Sequence, residues 1–189
     1  MKKKIILSAI LSILPFTAMA ETPSFDYFDI GYSSWDLDGF SKNLDGYELK
    51  LSQELSNNFY AAGSYQDIGT GPLDASLMTL GLGYKTNLSN SSVLFTELDW
   101  ARIKTDVDYG DQTFGIEDHG YQASVGIRHK LSSKLEIKGA VEYLDFGNDD
   151  STTFVFGAVY DISKSFALYS DIREESDATR YSVGVRFNF

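Results

Sequence analysis

A chain of 189 residues without cysteine has no disulfide frame. Its 16 lysines and arginines against 27 aspartates and glutamates, net charge −11, argue against nucleic-acid binding, because phosphates demand clustered cations. Twelve tyrosines, 13 phenylalanines and 16 glycines against 3 prolines favour strands and turns over helices.

Residues 1–20 read as a cleaved signal peptide. Lys2, Lys3 and Lys4 precede an apolar run from Ile5 to Phe16, and Ala18-Met19-Ala20 forms a small-x-small cleavage site. The run is too short to anchor the chain across a bilayer, and Pro15 interrupts it. Removing twenty residues from 189 leaves 169, and losing three lysines moves the charge from −11 to −14. The expected organisation is a leader, 1–20, and one domain, 21–189.

No later stretch has the eighteen or more apolar residues of a spanning helix. Period-two alternation recurs instead, the signature of strands with one oily and one wet face. Phe28, Ile30 and Tyr32 alternate with Asp29, Gly31 and Ser33, and Tyr47, Leu49 and Leu51 with Glu48, Lys50 and Ser52. Met78, Leu80, Leu82 and Tyr84 alternate with Thr79, Gly81, Gly83 and Lys85. Leu94, Leu98 and Trp100 alternate with Phe95, Glu97 and Asp99, and Tyr121 to Ile127 with Gln122 to Arg128. Leu135, Ile137, Val141 and Tyr143 alternate with Glu136, Lys138, Ala140 and Glu142. Segments 59–68, 152–161 and 165–174 are less regular, and Tyr181 to Phe189 is the clearest of all. Ten strands follow. Short turns near 56–58, 87–91, 131–134 and 161–164 alternate with longer expected loops at 38–45, 69–75, 105–119, 146–151 and 175–179. That rhythm fits an all-β, closed antiparallel transmembrane barrel with short periplasmic turns and longer extracellular loops.

A soluble sandwich or lipocalin-like barrel also alternates, but turns its apolar face inward. The wet faces here carry Glu48, Lys50, Glu97, Asp99, Arg128, Glu136, Lys138, Glu142 and Arg186. Charges of both signs suit a lumen in which they pair, and aromatics near strand ends suit interfacial girdles. The lumen-facing charge network is therefore expected from these nine residues. Glu97 and Asp99 are expected to pair with Lys50, Lys138, Arg128 or Arg186.

The closing run Tyr181-Ser182-Val183-Gly184-Val185-Arg186-Phe187-Asn188-Phe189 resembles the C-terminal signature of Gram-negative outer-membrane proteins. Tyr27-Phe28-Asp29-Ile30-Gly31-Tyr32 and Leu80-Gly81-Leu82-Gly83-Tyr84 resemble the small outer-membrane β-barrel superfamily of OmpX, Ail and the OmpA membrane domain. The resemblance implies a place in the cell outer membrane. It also implies a C-terminal assembly signal, Tyr181, Phe187 and Phe189, read by the barrel-assembly machinery. Those relatives have eight strands, so eight is the alternative to ten.

No catalytic, cofactor-binding or metal-binding residue is expected. His119 and His129 lie ten residues apart, roughly 33 Å along an extended strand, too far to share a site. Asp106, Asp108 and Glu117 faintly echo a calcium loop, but Gly110 and Asp111 break its spacing, which leaves a solvated loop. Gly81-x-Gly83 lacks phosphate-loop spacing and reads as room made in a crowded lumen. The expected function is a non-enzymatic outer-membrane barrel with a structural or loop-mediated surface role; a narrow porin-like channel for small cations or solutes is the alternative. Expected partners are outer-membrane lipid and lipopolysaccharide, whose divalent bridges the acidic outer loops would join, and not nucleic acid. The sequence does not identify an external partner.

Overall fold

Strand formation here follows from the alternation itself, and ten strands form. The computed structural model describes residues 22–39, 42–110 and 112–189; the expected leader, 1–20, lies outside them. The strands are β1 (Tyr27–Leu37), β2 (Leu44–Glu54), β3 (Phe59–Thr70), β4 (Leu73–Asn87), β5 (Ser92–Tyr109), β6 (Gln112–Lys130), β7 (Leu135–Asp145), β8 (Asp150–Asp161), β9 (Phe166–Glu174) and β10 (Ala178–Asn188). Each pairs antiparallel with its neighbours in sequence, and β1 also pairs with β10 to close the barrel. Closure matters because an unpaired backbone group in hydrocarbon costs several kcal/mol.

The oily faces point outward. Leu98 is 64% exposed while the next residue, Asp99, is 3% exposed, and Leu82 at 59% follows the same rule. Asp29, Ser33 and Glu48 are buried inside. This inversion separates a membrane barrel from a soluble one. Aromatic residues gather toward both ends of the outer face. Tyr47 lies beside Tyr65, and Tyr121 beside Tyr143, at one end; Phe59 meets Tyr84, and Phe166 meets Phe187, at the other. They form the two interfacial belts.

One end carries four turns of a single design, Leu55-Ser56-Asn57-Asn58, Leu88-Ser89-Asn90-Ser91, Leu131-Ser132-Ser133-Lys134 and Ile162-Ser163-Lys164-Ser165. In each, the amides of the first two residues donate to the carbonyl of the residue after the turn, at 2.8–3.2 Å. The leading Leu or Ile stays exposed on the lipid side. Thr22 and Phe189 approach this end, where Thr22 reaches Asn90 O and Phe189 N reaches Asp26 O; in such barrels it faces the periplasm.

The opposite end departs from expectation. The loop expected at 105–119 is paired strand: β5 and β6 continue to Tyr109 and Gln112 in unbroken register. The loop expected at 69–75 is a two-residue turn between Thr70 and Leu73. Gly71 and Gly110 sit in these tight turns at φ of +59° and +64°, a backbone state glycine adopts without strain. The misreading has a physical cause. Above the hydrocarbon a strand's outward face need not be oily, so Asp106, Asp108 and Glu117 look like loop while they form ladder. The β7 register reaches only Tyr121, so residues 112–120 of β6 pair with β5 alone.

Candidate functional site

The barrel interior and the projecting β5–β6 hairpin hold the groups with chemical potential. Inward positions of β2 place Glu48 and Lys50 opposite β9, whose alternation delivers Tyr169, Asp171 and Arg173. Lys50 Nζ lies 2.7 Å from Glu48 Oε1 and 2.5 Å from Asp171 Oδ2. Arg173 reaches Glu48 at 3.5 Å, Asp171 at 3.6 Å and Glu142 at 3.7 Å. Gln66 donates to Glu48, and Tyr169 Oη does so at 3.2 Å. The result is a belt of charge tied across the lumen, past the intervening β1 and β10.

Further pairs lie toward the periplasmic end, Lys85 with Glu54 at 2.5 Å and Lys130 with Asp161 at 3.1 Å among them. Arg128 Nε contacts Glu136 Oε1 at 2.6 Å, and Arg186 makes a two-point contact with Asp29 at 2.8 Å. At the outer end Arg180 bonds Glu175 and Thr153 and stacks over Trp35 at 4.6 Å.

Of the nine lumen charges expected from sequence, the structure gathers Glu48, Lys50 and Glu142 into the belt, joins Arg128 to Glu136, and pairs Arg186 with Asp29. Glu97 and Asp99 do not pair with Lys50, Lys138, Arg128 or Arg186 among the described residues. Glu97 instead accepts from Tyr60 Oη at 2.7 Å, Asp99 Oδ1 is buried without a hydrogen-bond donor, and Lys138 Nζ sits 5.9 Å from the Phe95 ring. Sequence reasoning missed Asp171, Arg173 and Arg180, although parity along β9 from Tyr169 and along β10 from Ser182 places them inside.

It also missed the segment before β1. Phe25 enters the barrel and packs against Tyr60 at 4.4 Å and Phe95 at 6.0 Å, with the Arg128 guanidinium 4.4 Å from its ring centre. Glu54 holds it there: Phe25 N donates to Glu54 Oε1 at 2.9 Å, while Glu54 N donates to Asp26 Oδ1 at 2.6 Å. Gly83 makes the room, since a Cβ there would stand 2.1 Å from Tyr60 Cζ.

Around these groups, among the described residues, three cavities follow the barrel axis. The first, of about 80 Å³, lies among Gln66, Asp99 and Arg180; the second, of about 40 Å³, lies beside Phe25; the third is a periplasmic vestibule of about 440 Å³. Tyr27, Lys50, Glu97 and Lys138 border the first two, and Arg128, Glu136, Val159 and Arg186 border the second and third.

The histidines stay apart. His119 stacks on Trp100 at 5.5 Å on the outer hairpin, whereas His129 Nδ1 bonds Ser92 Oγ at 2.7 Å across the β5–β6 register near the periplasm. No carboxylate contacts the His129 ring among the described residues, so this serine–histidine pair lacks the orienting acid of a triad. Asp106 and Asp108 are engaged by Lys104 at 2.5 Å and Thr113 at 2.6 Å, and Glu117 by Arg102 at 2.8 Å; Asp111 lies outside the described residues. Among the described residues no group of three acids or histidines converges on a metal-sized point.

Residues 6–161 match the family model of the outer membrane protein beta-barrel domain. No curated protein sequence matches the chain. Among solved structures it is similar to the NanC porin, at TM-score 0.51 and 12% identity over 86% of this chain and all of that one. The beta domain of the Bordetella autotransporter BrkA gives TM-score 0.51 at 8% identity, with 86% and 98% covered. The attachment invasion locus protein Ail of Yersinia pestis gives 0.49 at 16% identity, with 86% and 97% covered.

Proposed function

From the premise that this chain belongs to the outer membrane protein beta-barrel domain family, and so resides in the outer membrane, we propose that it is a non-enzymatic surface barrel. Its lumen is closed to solutes, and its outward β5–β6 hairpin meets an external partner. The carrying observation is the belt of Glu48, Lys50, Asp171 and Arg173, which ties β2 to β9 across the lumen. Flanked by cavities of only about 80 and 40 Å³, it leaves room for a few waters and not for a sugar or amino acid. The hairpin supports the surface role: residues 112–120 have an unpaired edge, and Phe114 and Ile116 stand exposed, at 60% and 75%. Exposed edges and apolar side chains together are what strand-adding partners use.

One observation favours the second reading, a narrow pore: the three cavities share walls along one axis. Planar-bilayer recording separates the two. The closed-barrel reading expects no steady conductance, and a stable cation-selective current overturns it. Residues 1–20 supply export in this reading. Tyr181, Phe187 and Phe189, all exposed on the lipid side, supply the signal to the assembly machinery.

A further inference from the structure

The vestibule at the periplasmic mouth has the opposite charge to the rest of the protein. Five cations border it, Arg128, Lys130, Lys134, Lys164 and Arg186, against two carboxylates, Glu136 and Asp161, in a chain of net charge −11. The two carboxylates are already engaged: Glu136 by Arg128, and Asp161 by Lys130 at 3.1 Å. Asp29 engages Arg186. Lys134 and Lys164 have no carboxylate within 4 Å among the described residues. Both are on the two turns that flank the β7–β8 pair, and each comes with a serine that also borders the cavity, Ser133 and Ser163. The other two turns of the same design end in Asn57-Asn58 and Asn90-Ser91 and carry no lysine, so the cationic pair lies on this side of the mouth.

A second observation points the same way. Arg128 is 5% exposed, forms part of the vestibule wall, and its Nη1 is buried without a hydrogen-bond partner among the described residues. That nitrogen is closed to solvent, so it adds to the positive potential at the wall rather than touching the ligand. The cavity, about 440 Å³, falls within the range of small-molecule sites.

We propose that this vestibule binds a soluble multivalent oxyanion of the periplasm, a phosphate ester or polyphosphate, with Lys134 and Lys164 as the principal charges and the hydroxyls of Ser133 and Ser163 as hydrogen-bond donors. With the other three cations of the wall paired to Glu136, Asp161 and Asp29, the two remaining ammonium groups match an anion of two or more negative charges and give a monovalent one little advantage. The ligand enters from the periplasm, and its binding is independent of whether the lumen conducts.

The test uses the full barrel in nanodiscs of zwitterionic lipid, titrated with inorganic pyrophosphate and followed by calorimetry and ³¹P NMR. The expected result is saturable binding that weakens tenfold or more in the Lys134→Ala/Lys164→Ala variant. Both side chains sit on exposed turns without ion pairs, so the variant retains the barrel, checked by its compact migration before heating. Lys104→Ala on the outer hairpin leaves the affinity unchanged. No saturable binding, or equal affinity in the double variant, overturns the proposal. Loss of pyrophosphate binding when anionic phospholipid replaces the zwitterionic lipid overturns it too, because a lipid headgroup is then the occupant.

Discussion

Arg186 donates from Nε and Nη2 to the two carboxylate oxygens of Asp29, both at 2.8 Å, and the two residues face each other in the register that joins β10 to β1. They are 157 positions apart in sequence. This pair marks the seam where the first and last strands meet, and its planar two-point contact suits one register: a slip of one residue would turn either side chain toward lipid. Asp29 is fully buried, so the pair is worth most when intact and costs most when halved.

Asp29→Ala is therefore expected to destabilise the folded barrel by about 3–5 kcal/mol, because Arg186 is left buried and uncompensated. Asp29→Ala/Arg186→Met, which removes both charges, recovers a large part of that loss. Urea unfolding in lipid vesicles checks both; a single-variant loss below about 1 kcal/mol contradicts the account.

Phe25→Ala removes the ring that fills the space among Tyr60, Val93 and Phe95. The expected loss is about 3–5 kcal/mol. The same variant leaves the belt of Lys50 and Asp171 in place, so it stays non-conducting in a planar bilayer. Conductance appearing on loss of Phe25 alone would show that the belt does not close the lumen.

Glycine-to-alanine exchanges at two positions should have opposite signs. At Gly83 the new Cβ meets the buried Tyr60 ring, and overpacking of this kind costs about 1–3 kcal/mol. At Gly139 nothing lies within 4 Å of the new atom, so the stiffer residue stabilises the strand by about 0.5–1 kcal/mol. Thermal or urea midpoints of the two variants, measured side by side, decide it.

Depth in the membrane is readable by arginine substitution. Leu98→Arg places a charge on the lipid face between the aromatic belts and is expected to cost about 2–4 kcal/mol, whereas Thr113→Arg, on the same face of the projecting hairpin, costs about 0–1 kcal/mol. Equal costs would place the hairpin within the bilayer.

Phe189→Ser separates assembly from stability. Phe189 is 65% exposed and ends the chain beyond β10. The purified variant is expected to refold with wild-type stability in vesicles while its level in the outer membrane of cells falls several-fold. Normal levels in cells remove the assembly role from this residue.

Much of the architecture was legible because a barrel wall has two solvents. Lipid outside and charge inside impose a strict period of two, so Tyr181 to Phe189 or Met78 to Tyr84 announces its strand and its faces without any partner in view. The legibility stops where the two-solvent contrast stops. Asp106 and Glu117 lie above the hydrocarbon, where a wet outer face is permitted, and so their strands passed for a loop. Parity also tells which charges share the interior but not which of them touch. Glu48 and Lys50 meet Asp171 and Arg173 because closure brings β9 within reach of β2, whereas Glu97 and Asp99 find no cation among the described residues although Lys138 borders the same cavity. Phe25, in no strand and with no periodicity to place it, became an interior residue only through the space left by Gly83 and the hold of Glu54. Period along the chain is a local property, set by backbone geometry and the media on each side; the choice of ion-pair partner and the filling of the lumen depend on distances across the barrel, which exist only once it has closed.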